Sequence, residues 1–240
     1  MKEFHVLAAA MFLLLAALVM SGMKNTAPVS EDSTFDIYEE SEKLVALTFD
    51  DGPKAGKTEE LLEVLKEKGI KATFFMIGAQ IKDNEALVKR IAEEGHQIGI
   101  HTYSHVDLSC LTEAEQKAEI EKAKTAVEAV IGPVELTLRP PFGKANGTLE
   151  DWLDMPMILW SVDTVDWKGT DAAKIIQETA MSVRDGDIIL MHDISKHGAE
   201  AAAGIIDELK RMGYTFLTID QLFACRSIEL EDGEAYRRAR

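Results

Sequence analysis

The chain has 240 residues, of which 46% are hydrophobic and 28% are charged. This length suits a single α/β domain with a sizeable core, and the composition is that of an ordinary globular protein. The formal net charge of -16 argues against nucleic acid and anionic lipid as partners, because both repel an acidic surface.

The first 23 residues differ from the rest of the chain. Lys2 precedes an uncharged run, residues 6–20, that is rich in Leu, Ala and Met, as is typical of the apolar part of a signal peptide or of a short membrane anchor. Residues 24–43 are polar and acidic, without apolar periodicity, and are interpreted as a linker. We therefore expect export, with the segment either cleaved from an extracellular protein or retained as a membrane attachment at the cell surface.

From residue 44 the chain alternates short apolar runs with amphipathic runs of helical period. The predicted strands cover residues 44–49, 72–77, 97–100, 136–138, 157–160, 187–191 and 214–217. The predicted helices cover residues 58–68, 84–94, 112–130, 147–153, 171–183, 199–212 and 219–223. This alternation of about seven βα units predicts one α/β domain over residues 44–224, with parallel strands covered by helices. Residues 225–240 are expected to be a loose, charged tail.

Two motifs at predicted strand ends could together bind a metal ion. Asp50 and Asp51 close the first strand; neighbouring strand residues point to opposite sides, so one carboxylate can bind a metal while the other faces a substrate. His101 and His105 follow the third strand at a spacing of four residues. Asp51 and the two histidines form a set that leaves a position for water, with zinc as the default ion and cobalt, nickel or manganese as alternatives.

Three further motifs follow later strands. Arg139 begins the run Arg-Pro-Pro-Phe-Gly, whose prolines exclude a helix and whose guanidinium could bind a carboxylate. Residues 160–167 carry two aspartates between two tryptophans, a combination typical of sugar binding; Trp160 is assigned to the core and Trp167 to a cleft. His192 ends an apolar strand and could be a general acid if an aspartate holds it charged.

All five motifs lie at or just after the ends of predicted strands, where barrels and open α/β sheets place their active sites. His96 and His197 do not belong to these motifs and are interpreted as surface residues. Cys110 and Cys225 are not in a metal-binding spacing, and the sequence leaves open whether they pair.

Together, these motifs resemble the polysaccharide deacetylase family, a group of metal-dependent carbohydrate esterases, over residues 44–224. The resemblance implies a distorted (β/α)7 barrel. Val106 stands where many relatives have proline, which could shift the loop of residues 106–111. The resemblance implies that Asp50 is the catalytic base, oriented by Arg139, and that Asp51, His101 and His105 are the metal ligands. It implies His192 as the acid, with Asp166 as the residue that tunes its pKa. Phe142, in the motif that ends at Gly143, would stabilise the oxyanion through its backbone N–H, while Trp167 would contact the substrate and Leu190 would line the acetyl pocket.

The resemblance also implies a reaction, the hydrolysis of N-acetyl groups on an acetylated polysaccharide substrate. Peptidoglycan is the first expectation for that substrate. Chito-oligosaccharide comes second, and O-acetyl ester cleavage on acetylxylan third. An alternative of a different class is a non-catalytic cell-wall carbohydrate-binding protein, against which the presence of Asp50 and His192 argues.

Overall fold

The computed structural model describes residues 43–145 and 147–240. The predicted segment 1–23 and the predicted linker 24–43, except Lys43, lie outside the described residues; Lys43 belongs to β1 rather than to a linker. The strands are β1 (Lys43–Asp50), β2 (Thr73–Met76), β3 (Gln97–Ile100), β4 (Met157–Ile158), β5 (Val162–Asp163), β6 (Asp187–His192), β7 (Tyr214–Leu217) and β8 (Ala235–Tyr236). The helices are α1 (Lys57–Lys68), α2 (Gly78–Ile81), α3 (Glu85–Glu93), α4 (Glu113–Ile131), α5 (Gly147–Glu150), α6 (Ala172–Ser182), α7 (Gly198–Arg211) and α8 (Ile219–Cys225).

The strands form a mostly parallel sheet in the order β3-β2-β1-β6-β5, which confirms the predicted α/β class. One edge of β1 pairs with β6 along its length, while the other edge pairs first with β7 and then with β2. Parallel bridges at Leu138 join β3 to β4. Since β1 pairs with β2, β6 and β7, it is the central strand of the fold.

The alternation of side chains along β1 divides its residues between two apolar clusters. Val45, Leu47 and Phe49 belong to the cluster that also contains buried residues of α1 and α7. Leu44 and Ala46 point the other way, into a second cluster with residues of α8. Because successive strand residues alternate, Thr48 and Asp50 continue along this second face.

The described helices begin largely where the sequence predicts. In α4, Thr112 accepts a hydrogen bond from the backbone N–H of Glu115, and the Glu115 carboxylate accepts one from the Thr112 N–H, as the capping box predicts. Across residues 43–145 and 147–240, no helix is long and apolar enough to cross a bilayer.

Two sequence predictions about the fold are wrong. The predicted strand at residues 136–138 is reduced to single-residue bridges at Leu138. The tail is not loose, because β8 pairs with β4, Tyr236 packs edge-on against Phe223, and Arg240 forms an ion pair with Asp187 at 2.6 Å. The charges of the tail thus hide a short strand that packs on the domain.

Candidate active site

The register of the two central strands places two predicted functional residues side by side. Asp50 is the last residue of β1 and His192 the last of β6, and they are direct partners in the parallel ladder. The next residue, Asp51, leaves the strand with a φ of 77°. Its side chain therefore diverges from that of Asp50 and turns towards the end of β3.

Asp51, His101 and His105 come together at this edge. The Asp51 Oδ1 atom lies 3.2 Å from His105 Nε2 and 3.6 Å from His101 Nε2. One ligand atom from each of the three residues lies within 4.8 Å of the others, so the group could hold a metal ion. His101 follows β3 directly, and positive φ angles at Thr102 and His105 turn the chain back so that the second imidazole reaches the group.

The chemistry of these donors fits a divalent cation. The Nδ1–H group of His101 donates to the carbonyl oxygen of Arg139 at 2.6 Å, which leaves Nε2 without a proton in the neutral ring. Burial lowers the pKa of His101 and outweighs the nearby Asp50 and Asp51 carboxylates, which favours that neutral form. Asp51 Oδ1 is buried and accepts no hydrogen bond from the described residues. A cation would satisfy this oxygen, whose burial is otherwise costly.

Arg139 is fully buried and binds the Asp50 carboxylate. Its Nη1 atom donates to Asp50 Oδ1 and to Thr48 Oγ1, each at 2.7 Å, while Nε and Nη2 donate to the carbonyls of Ile158 and Leu159. The guanidinium is therefore fixed by four acceptors. The second Asp50 oxygen, Oδ2, faces the predicted metal ligands and lies 3.8 Å from His101 Nε2.

His192 is paired with Asp166, as the sequence interpretation required. The ring Nδ1–H donates to Asp166 Oδ1 at 2.8 Å, and the backbone N–H donates to Oδ2 at 2.9 Å. Burial lowers the pKa of His192, but the hydrogen bond and charge of Asp166, with the charges of Asp50 and Asp51, raise it to about 9. The imidazole is therefore protonated at neutral pH and can donate a proton from Nε2.

A cleft of about 420 Å³ joins these groups. Trp167 is 55% exposed and Phe142 58% exposed, so both aromatic rings are open to a ligand. Leu190 is buried. Trp160, assigned from sequence to the core, is half-buried: it packs against the second apolar cluster and also lines the cleft. The residues that line the cleft are Asp50, Asp51, His101, His105, Phe142, Trp160, Asp163, Trp167, Leu190 and His192.

The loop after Arg139 brings Phe142 to the cleft. Phe142 has a φ of 60°, and the N–H groups of Gly143 and Lys144 donate to the carbonyls of Pro140 and Pro141. The Phe142 N–H takes part in neither of these turn bonds. Gly143 has a φ of 66°, and a Cβ atom there would lie 3.0 Å from the Trp160 ring, so this position favours glycine on both counts.

Two polar residues differ from the sequence interpretation. His96, predicted on the surface, is buried; its Nδ1 atom accepts a hydrogen bond from the Ala72 N–H, its ring packs edge-on against Phe74, and burial lowers its pKa to about 4. Asp193 was assigned no role, yet it is buried beside the site, where burial raises its pKa to about 7 despite a hydrogen bond from Thr58. The one sequence signal for Asp193 is its position directly after His192.

The cysteines lie outside the candidate site. Cys110 is exposed and Cys225 is half-buried, and no disulfide joins them.

Comparison with known proteins gives consistent matches. Residues 38–154 match the family model described as polysaccharide deacetylase. The chain is 41% identical over 181 residues to the peptidoglycan-N-acetylglucosamine deacetylase PgdA of Listeria monocytogenes, which covers 75% of this chain and 39% of that protein. It is 38% identical over 186 residues to a peptidoglycan-N-acetylglucosamine deacetylase of Bacillus cereus, covering 75% of this chain and 68% of that protein.

A solved structure supports the predicted barrel. A family 4 acetyl xylan esterase from Clostridium thermocellum, in complex with a cobalt ion, superimposes with a TM-score of 0.78 at 30% identity. The match covers 82% of this chain and 98% of that one. The fold is therefore the distorted (β/α)7 barrel of these enzymes, as the resemblance implied. The chain spans only about two fifths, 39%, of the length of the Listeria relative.

Proposed function

We propose a function from one premise that the comparisons establish: this chain belongs to the polysaccharide deacetylase family. The proposed activity is the metal-dependent hydrolysis of N-acetyl groups on an N-acetylhexosamine polysaccharide. The observation that carries it is the convergence of Asp50, His192 and the triad of Asp51, His101 and His105 on one cleft. A base, an acid and a cation site in one cleft are the groups that metal-dependent amide hydrolysis uses.

The metal ion is assigned to Asp51, His101 and His105. When bound there, a divalent cation would supply Lewis-acid polarisation of the acetyl carbonyl and a lower pKa for the attacking water. Zinc is the proposed ion because one carboxylate and two imidazoles are suitable zinc ligands. Cobalt, nickel and manganese accept the same donor types, and the Clostridium relative was obtained with cobalt.

The protein side chains divide the proton transfers between them. Asp50 takes a proton from the attacking water through Oδ2, while Arg139 holds the other carboxylate oxygen at 2.7 Å and fixes its orientation. The Phe142 N–H donates to the acetyl oxygen as that oxygen gains negative charge. His192, kept protonated by Asp166, gives its proton to the leaving amine nitrogen. Acetate and a free amino sugar are the products.

The cleft is proposed to bind the sugar through apolar contacts. Trp167 offers an exposed indole face on which a pyranose ring can stack, and Leu190 closes the pocket against the acetyl methyl group. Gly143 keeps the loop that carries the Phe142 N–H close to Trp160.

Peptidoglycan is the proposed polymer, supported by the names of the Listeria and Bacillus relatives. The named activity of the Clostridium relative favours acetylxylan as a second candidate, and chito-oligosaccharide stays a third. Acetate release from peptidoglycan, chitin oligomers and acetylxylan, each with zinc and with a chelator, discriminates among them. A protein that binds these polymers but releases no acetate from any of them would instead be a non-catalytic wall-binding protein.

The proposed location is the cell surface or the extracellular space. It is supported by the uncharged run of residues 6–20 and by the substrate. N-terminal sequencing of the exported protein tests whether residues 1–23 are cleaved or retained as a membrane attachment.

A further inference from the structure

The turn that follows the predicted base Asp50 and carries the predicted metal ligand Asp51 is held by two separate parts of the chain. The backbone carbonyls of three successive residues each accept a hydrogen bond, one from the residue after β6 and two from the start of α2. The pairs are Asp50 with the N–H of Asp193 at 3.2 Å, Asp51 with Nε2 of Gln80 at 2.9 Å, and Gly52 with the N–H of Ile77 at 2.9 Å. The position of the turn is therefore set by the end of β6 and the start of α2 together.

The side chain of Asp193 fills the space beneath this turn. Its Oδ2 atom accepts a hydrogen bond from Thr58 Oγ1 at 2.7 Å, and the same hydroxyl oxygen accepts one from the Lys54 N–H at 2.8 Å. These two hydrogen bonds connect the backbone of Lys54, through Thr58 in the first turn of α1, to the Asp193 carboxylate directly after β6. Neither residue lines the cleft, and both are buried, with Asp193 4% exposed and Thr58 fully buried.

The same carboxylate explains why residue 52 is glycine. A Cβ atom built on Gly52 would lie 1.9 Å from Asp193 Oδ2 and 2.7 Å from Oδ1. This is far inside van der Waals contact, and both atoms belong to a side chain that Thr58 holds in place. The glycine is therefore required by the close approach of Asp193 to the turn.

We propose that Asp193, together with Thr58, is a positioning residue that fixes the turn at Gly52 and so sets where Asp51 presents its carboxylate to the metal ion. Asp193 follows His192 directly in the chain, so one rigid unit links the acid on β6 to the turn after β1. The inference deepens the proposed function and rests on its assignment of Asp51 as a ligand. It gives Asp193 no contact with the substrate.

Zinc affinity is the measurement that separates positioning from a purely structural role. The matched variants are Thr58→Val, which removes the hydroxyl at nearly constant volume, and Thr58→Ser, which keeps it. Competition with a chromophoric chelator gives the zinc dissociation constant of each folded protein, independently of any glycan. We expect Thr58→Val to weaken zinc binding about tenfold, in the range seen when a partner behind a metal ligand is lost, and Thr58→Ser to restore it.

The change in kcat should accompany the change in the zinc dissociation constant. At a zinc concentration that saturates both proteins, Thr58→Val should lower kcat for acetate release more than it raises KM, because Asp50 directly precedes the turn. A Thr58→Val protein that folds but keeps the wild-type zinc dissociation constant and kcat overturns the inference. A wild-type protein that binds none of zinc, cobalt, nickel and manganese would instead overturn the proposed function.

The close approach of the Asp193 carboxylate to Gly52 is tested separately in the metal-free protein. Gly52→Ala should lower the thermal midpoint in the wild-type background, and by clearly less in an Asp193→Ala background, where the obstructing carboxylate is gone. Equal shifts in the two backgrounds would show that Gly52 and Asp193 are not coupled and would refute the contact on which the inference depends.

Discussion

Replacing Asp166 with asparagine should lower the pKa of His192 and move the alkaline limb of the activity profile to lower pH. Burial already lowers the pKa of this imidazole, and Asp166 is the main group that raises it to about 9. The asparagine side chain has a similar shape, but it has no charge and only one oxygen that can accept, so it keeps one of the two hydrogen bonds from His192. The pKa should therefore fall towards the ordinary value of 6.5.

The size of the effect follows from the protonated fraction of His192. The acid acts in its protonated form, so activity is lost as the pH rises through the pKa of the folded protein. At pH 8 a group with a pKa of about 9 is roughly 90% protonated, and one with a pKa of about 6.5 is roughly 3% protonated. The variant should lose about 30-fold in kcat at pH 8 but less than about twofold at pH 5.5.

The assay is kcat for acetate release from N-acetylglucosamine oligomers by the zinc-loaded enzyme across this pH range. Asp163→Asn is the matched control: Asp163 lies in the same motif and lines the same cleft, but it is exposed and accepts its hydrogen bond from the Val165 N–H. The control should keep the wild-type alkaline limb. If Asp166→Asn kept it too, Asp166 would not be what holds His192 protonated.

The remaining predictions concern the base, a metal ligand, the buried arginine and the cleft. Asp50→Asn should keep zinc binding but lose at least about 100-fold in kcat; wild-type turnover would remove Asp50 as base. His105→Ala should lose zinc and activity together, and full zinc occupancy, measured by metal analysis after dialysis, would refute its ligand role. Arg139→Met should lower the free energy of unfolding by about 3–5 kcal/mol, because it leaves the buried Asp50 carboxylate without its partner; urea denaturation checks this, and an unchanged midpoint would contradict it. Trp167→Ala should raise KM with little change in Tm, since the ring is 55% exposed; an unchanged KM would exclude stacking on this ring.

The sequence predicts the fold best where the strand signal is strongest. β1 and β6 are mostly apolar and, apart from Lys43 and His192, buried, as strands covered by helices must be. The segment around Leu138 misleads, because its apolar residues are buried while only one of them forms ladder bridges. The tail misleads for the opposite reason: its many charges hide Ala239, which is fully buried against the domain. Burial of so short a segment depends on contacts far away in the sequence.

The predicted site residues converge because their motifs end neighbouring strands. The carboxyl ends of parallel strands meet at one edge, so Asp50 and His192 need only the correct register to be adjacent. Asp193 could not be assigned in this way. Its importance comes from the space beneath Gly52 and from the hydroxyl of Thr58, and neither is visible until the strands and α1 are placed together.

The backbone of the site supports the view that its geometry is imposed by its surroundings. Among the described residues, six that are not glycine have positive φ, and all except Ser227 belong to the site motifs or adjoin them: Asp51, Thr102, His105, Phe142 and Val165. Each such conformation costs roughly 1–3 kcal/mol and persists only where neighbouring groups hold it. The carbonyl bonds to Asp50, Asp51 and Gly52 and the four bonds of Arg139 are such groups. Loss of a holding group such as Thr58 should therefore change function before it unfolds the protein, because the strain is released locally at the turn that carries Asp51.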